Sequence, residues 1–216
     1  MPQADRISAT TQDMLREQFG DIDIHVFDAL LQGYWKPPAR FLDAGCGTGR
    51  NLPFFLKQGF DVYGVDADAD ALEIADETAK ALLPGAVAGR FLCRPLEAMD
   101  FADDFFDAVL CNAVLHFAEN QEHFASMLQG IWRVVKPGGT VLIRMGTRIG
   151  LETEVLPRGK GLYTQPDGAC WYLPDAAELR AWENRLGAER WKPLKSTWVE
   201  KKRSMATWWL RKPVTS

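Results

Sequence analysis

Phe41-Leu42-Asp43-Ala44-Gly45-Cys46-Gly47-Thr48-Gly49-Arg50-Asn51 is the stretch on which the fold turns. Residues 40–43 have the apolar run of a short strand, the three glycines make a tight turn, and residues 50–58 have helical spacing. Glycines at such a turn permit positive φ and let the backbone approach a ligand closely. Gly59 stands where a helix ends in the left-handed conformation. In an open parallel sheet a ligand lies at the carboxyl ends of the strands, beside a turn of this kind.

Outward from that turn the pattern repeats. A second strand is read at Asp61–Asp66, a helix at Ala69–Leu82 and a third strand at 90–94. A fourth strand follows at Phe106–Asn112, then a helix at 121–135. The turn Lys136-Pro137-Gly138-Gly139 leads into a fifth strand at 140–145. Strands alternating with helices predict right-handed crossovers and a parallel sheet covered on both faces. Upstream, residues 10–35 have helical spacing broken at Gly20-Asp21, and Lys36-Pro37-Pro38 ends this arm. Downstream, residues 146–171 form an irregular, lid-like stretch. A helix at 175–186 follows, and two closing strands are expected at 189–194 and 205–210. The expected organisation is one domain over 1–216, with a helical arm (1–38), a ligand-binding core (39–145) and a substrate-side part (146–216).

Charge is uneven. The chain has a net charge of -4, but residues 1–143 hold 11 basic and 21 acidic side chains, and residues 144–216 hold 14 and 8. An acidic body is poorly suited to a phosphate backbone, so nucleic acid is not the expected partner. The basic C-terminal part either packs on that body or offers positive charge to an anionic acceptor. Cys46, Cys93, Cys111 and Cys170 lack paired spacing and read as reduced thiols, with no disulfide and no metal site expected. No run approaches ~20 apolar residues, and the first residues lack a secretory pattern. The expected location is therefore cytoplasmic, with no membrane contact.

Two carboxylates discriminate among ligands. Asp43, at the end of the first strand, sits badly beside a pyrophosphate and suits a ligand bearing an ammonium group. Asp66, at the end of the second strand, has the acceptor oxygens to take both hydroxyls of a ribose. The spacing Gly45, Gly47, Gly49 is G-x-G-x-G, not the G-x-G-x-x-G of nicotinamide dehydrogenases.

In FLDAGCGTGRN (residues 41–51), VYGVDADADAL (62–72), FADDFFDAVLCNAVLHF (101–117) and WRVVKPGGTVLI (132–143), in that order, the chain resembles the class I S-adenosylmethionine-dependent methyltransferases. The expected fold is α/β: a Rossmann-like seven-stranded, mostly parallel sheet with helices on both faces and its last strand antiparallel. The resemblance implies S-adenosylmethionine as cofactor, S-adenosylhomocysteine as product, and transfer of a methyl group to a small-molecule acceptor. It implies that Gly45, Cys46, Gly47 and Gly49 form the loop around the methionine part, with Asp43 near its amino group. Asp66 would hold the ribose hydroxyls, Ala67 would pack on the adenine, Leu96 and Glu97 would frame its edge, and Asn112 would close the pocket. The family often has an aspartate at about Pro95, and this chain does not.

Beyond the cofactor, His116 is the candidate general base. Arg144 and Arg148 are candidates to clamp an acceptor carboxylate, because guanidinium pairs oxyanions bidentately. Tyr163, Trp171 and Tyr172 could wall an apolar acceptor, and Tyr34 or Trp35 could fold the N-terminal arm over the cofactor. Asn112 lies in Cys111-Asn112-Ala113-Val114, not in the Asn-Pro-Pro-aromatic motif of enzymes that methylate base or amide nitrogens. The protein is expected to be a monomer or homodimer. The alternative function is a non-catalytic S-adenosylmethionine-binding sensor or activator of a partner protein.

Overall fold

The computed structural model describes residues 9–85 and 87–214. A sheet of seven strands forms its centre. Those strands are β1 (Arg40–Ala44), β2 (Asp61–Asp66), β3 (Phe91–Cys93), β4 (Phe106–Asn112), β5 (Val135–Gly146), β10 (Lys195–Val199) and β11 (Arg203–Arg211). Their spatial order is β10-β11-β5-β4-β1-β2-β3, and the two-residue β9 (Glu189–Arg190) adds to β11. Strands β1 to β5 pair in parallel, and β11 runs antiparallel to β5. The expected α/β sheet, its strand number and its antiparallel last strand are all present.

Alternation along each strand divides the core into two layers, because successive side chains point to opposite faces. Phe41, Val62, Ala108, Leu110, Leu142 and Trp209 face one way. They meet α2 (Ile24–Leu31), α3 (Leu52–Lys57) and α4 (Ala69–Leu82) through Val26, Phe55 and Ala75. Leu42, Val65, Val109, Cys111, Ile143 and Trp208 face the other way. There they meet α5 (Gln121–Val134) and α6 (Ala176–Leu186) through Phe124, Ile131, Leu179 and Trp182. The neighbours Trp208 and Trp209 thus serve opposite layers, and a one-residue slip would exchange them.

Several boundaries differ from the expectation. The closing edge strand is at Lys195–Val199, not 189–194, and only Glu189–Arg190 of the earlier segment pairs with β11. Lys136–Gly139 does not form a free turn. It lies within β5, where the register against β4 shifts between Phe106 and Ala108 and Gly138 takes positive φ. The stretch expected to be irregular holds a small antiparallel sheet of β6 (Leu156–Gly159), β7 (Leu162–Thr164) and β8 (Cys170–Tyr172). The N-terminal arm is α1 (Ala9–Phe19) and α2, separated at Gly20 as expected. Helix α6 starts on a capping box in which Asp175 and Glu178 satisfy each other's backbone N–H. Among the described residues no helix is long and apolar enough to cross a membrane.

Candidate active site

The loop after β1 is tied to β2 before any ligand enters. The N–H groups of Gly45 and Cys46 both donate to the Val65 carbonyl, at 2.8 and 3.0 Å. Gly47 N donates to Asp66 Oδ2 at 2.7 Å, and Asp68 N donates to Oδ1 at 2.9 Å. Asp66 is therefore aimed by the backbone, and each of its oxygens keeps a lone pair for a further donor. Gly45 adopts φ 79°, and a Cβ there would overlap Val114. Gly49 does a different job. A Cβ on it would lie 2.8 Å from Leu52 and 3.0 Å from Ala75 of α4, so its bareness lets the loop pack on that helix.

Three adjoining cavities open along this edge of the sheet. The first, about 200 Å³, has Asp66, Ala67, Leu96 and Glu97 in its wall, with Val114 and Met127 across from them. The second, about 340 Å³, is bounded by Cys46, Gly47, Thr48, Asn51 and Asn112. Gly45 lines both. The third, about 330 Å³, is lined by His116, Phe117, Arg144, Trp171, Arg203 and Met205. It shares Arg50 and Ala113 with the second and Phe117 with the first. At the junction Ala113 holds φ 64°, and its N–H donates to the Arg144 carbonyl at 2.7 Å. A left-handed alanine costs about 1–2 kcal/mol, and this strain falls where the cavities meet.

Polar groups behind the second cavity have unmet bonding capacity. Asp43 is 1% exposed, and neither carboxylate oxygen has a hydrogen-bond partner. Burial pushes its pKa up to about 7, opposed by the nearby Asn51 amide and Arg50 guanidinium. The Asn112 side-chain amide is also buried with both polar atoms unpartnered. Native proteins rarely leave such groups unsatisfied. A ligand with an amino-acid-like tail in the second cavity and a nucleoside in the first fits this donor and acceptor set. The first cavity also has Pro95 in its wall, where its φ of -71° sets up the 3-10 turn Leu96–Ala98.

The third cavity gathers some acceptor-side candidates and leaves others out. Arg144 is in its wall and also pairs with Asp23 at 3.1 Å. Arg148 is outside it, with its guanidinium held by Asp175 at 2.6 Å and Glu178 at 3.2 Å at the start of α6. Trp171 is in the wall, tilted against His116 at 4.1 Å between ring centres. Tyr172 instead packs on Phe124 in the core, and Tyr163 lies under Arg148. Trp35 is buried against Phe41 and Phe55 and donates its Nε1–H to Thr140, while Tyr34 packs on Trp191 and Trp209. Both belong to the core layer, and neither covers a cavity. The arm reaches the site through Asp23, which also lies 3.5 Å from Arg50. Asp23, Ala113, Val114, Phe117 and Arg203 were not singled out from the sequence, because only the arm's ion pair with Arg144, the β10–β11 pairing and the 3-10 turn at Leu115–Phe117 bring them here.

Fold and cavities together define an α/β domain with three adjoining cavities beside the Gly-rich loop that follows its first strand. Residues 42–143 match the family model described as a methyltransferase domain. Among curated relatives, the tRNA U34 carboxymethyltransferase of Idiomarina loihiensis is 28% identical over 148 residues, covering 68% of this chain and 44% of that protein. The chain spans about half the length of the curated relatives it matches. A solved S-adenosylmethionine-dependent methyltransferase from Methanosarcina mazei superposes with a TM-score of 0.69 at 19% identity, covering 86% of this chain and 98% of that one. The 1,6-didemethyltoxoflavin-N1-methyltransferase of Burkholderia thailandensis, solved with that compound and S-adenosylhomocysteine, gives 0.65 at 20% identity over 94% and 83%.

Proposed function

We propose that this chain binds S-adenosylmethionine and transfers its methyl group to a small-molecule acceptor. The single observation that carries the reading is the run of three cavities joined through Gly45, Ala113, Arg50 and Phe117. Adenosine belongs in the first, with Asp66 on the ribose hydroxyls and Leu96 and Glu97 at the adenine edge. The methionine part belongs in the second, where Asp43 and Asn112 have capacity to spare. The acceptor belongs in the third.

When bound, the cofactor supplies a methyl carbon activated by its sulfonium. With it bound, an acceptor's lone pair would form the new bond to that carbon while the carbon–sulfur bond breaks and its electron pair passes to sulfur. A proton on the attacking atom leaves to solvent. The chain's own residues align the acceptor behind the methyl group and exclude water. Such positioning alone is worth up to about 7–11 kcal/mol. One relative's name specifies tRNA, but the acidic excess of residues 1–143 favours an acceptor without a phosphate backbone.

Calorimetric titration with S-adenosylmethionine, S-adenosylhomocysteine and NAD tests the reading. Dissociation constants of about micromolar order for the two sulfur ligands, and none for NAD, are expected. Binding of NAD alone would overturn it.

A further inference from the structure

We infer that the third cavity recognises an oxyanion on an aromatic or otherwise apolar acceptor, and that His116 acts there as a hydrogen-bond donor. The inference rests on the reading of that cavity as the acceptor pocket.

Charge comes first. Arg50, Arg144 and Arg203 line the cavity, and one carboxylate, Asp23, pairs with the first two. Arg203 forms no ion pair among the described residues. Two positive charges are thus left over at a pocket whose other walls are Phe117, Trp171 and Met205. The buried Arg144 Nε also lacks a partner. Guanidinium groups pair carboxylate and phosphate oxygens in a fixed fork geometry, and flat apolar walls suit an aromatic or aliphatic body.

The tautomer of His116 follows from one hydrogen bond. Its Nδ1 accepts from the Gly146 N–H at 3.2 Å, inside the core. Nδ1 therefore carries a lone pair, and the proton of the neutral ring sits on Nε2. The ring is 2% exposed, and burial together with Arg203 and Arg144 holds it neutral. In this form His116 has no free lone pair with which to take a proton. It offers the cavity an Nε2–H, a second kind of donor beside the arginines. The expected general base is thereby replaced by a binding group, and the acceptor must attack with a lone pair that needs no protein base.

Benzoate, phenyl phosphate and the uncharged isostere benzamide are the probes, titrated into the protein loaded with S-adenosylhomocysteine. Benzoate or phenyl phosphate is expected to bind at least about tenfold more tightly than benzamide, and whichever is tighter identifies the oxyanion. Arg203→Met, at an exposed strand end, should remove that preference while leaving S-adenosylhomocysteine binding unchanged. His116→Phe should weaken the anion similarly, and His116→Gln, which keeps an N–H donor, should restore most of it. If the anions bind no better than benzamide to the loaded protein, or Arg203→Met leaves the preference intact, the anion assignment fails alone. Failure of S-adenosylhomocysteine to bind at all would take the cofactor reading down with it.

Discussion

At the scale of single residues, Asp43 makes the sharpest forecast. Its carboxyl is buried, unpartnered and titrates at about 7. A cationic amino group in the adjoining cavity favours the carboxylate, so cofactor binding should expel a proton at lower pH. Affinity for S-adenosylmethionine should be full above about pH 7 and fall as pH drops through it, by at most about tenfold per unit. Calorimetry at pH 6 in two buffers of different ionisation enthalpy should register proton release, and Asp43→Asn should abolish it. The ligand-free protein should show the opposite slope. Its folded state keeps a proton that the unfolded chain has released, so this group's contribution to stability declines from about pH 4 to 7. Gly45 supplies a steric counterpart. With φ 79° and Val114 against its bare Cα, Gly45→Ala should weaken cofactor binding by about tenfold or more. Val114→Ala in the same chain should recover part of that, and no recovery would remove the overlap as the cause. These candidate positions were legible in the sequence because a carboxylate and glycines at a strand end have few other uses. Arg203 was not, since nothing local separates it from its basic neighbours Lys201 and Lys202.

At the scale of elements, the wall of the first cavity, where adenine is proposed to sit, depends on how α5 lies across the Leu96–Ala98 turn. A Cβ on Gly130 would overlap the Leu96 carbonyl, so that helix can approach only because this position is bare. Gly130→Ala must push the turn away. Overpacking of this kind costs about 1–3 kcal/mol, or roughly 3–10 °C in Tm for a chain of this size. Cofactor affinity should fall along with Tm, because Leu96 and Glu97 move with the turn, whereas a loss of Tm alone would separate the turn from the site. Arg148 gives the converse case. Its partners are the capping residues of α6, so Arg148→Met should lower Tm and leave oxyanion binding alone. Elements buried on both sides were legible: β4 and β5 read as apolar runs because helices cover both their faces. The edge strand β10, Lys-Ser-Thr-Trp-Val, is exposed at every residue and carries no such signal. The β6–β8 sheet is equally hidden, built from three- and four-residue strands around glycine turns.

At the scale of the whole molecule, the N-terminal arm and the C-terminal strand pair converge on one pocket from opposite ends of the chain. The arm brings Asp23, whose N–H donates to Asn51 and whose carboxylate caps α2 and pairs with Arg144 and Arg50. The strand pair brings Arg203 and Met205. Of the excess positive charge after residue 143, part packs on acidic groups, as Lys212 does on Asp104, and Arg144 and Arg203 line the cavity proposed for the acceptor. Asp23 therefore holds the arm in place while cancelling charge that an anionic acceptor would use. Asp23→Asn separates the two roles, since asparagine still caps a helix but no longer neutralises the arginines. Stability should fall by about 1–3 kcal/mol, the worth of hydrogen bonds to a charged group, read as a lower denaturant midpoint. Benzoate affinity of the loaded protein should rise over the same substitution, because one more positive charge faces the ligand. A structural role alone would lower both quantities together. Opposite signs in one variant would mean that the arm's carboxylate is a competitor for the acceptor's place.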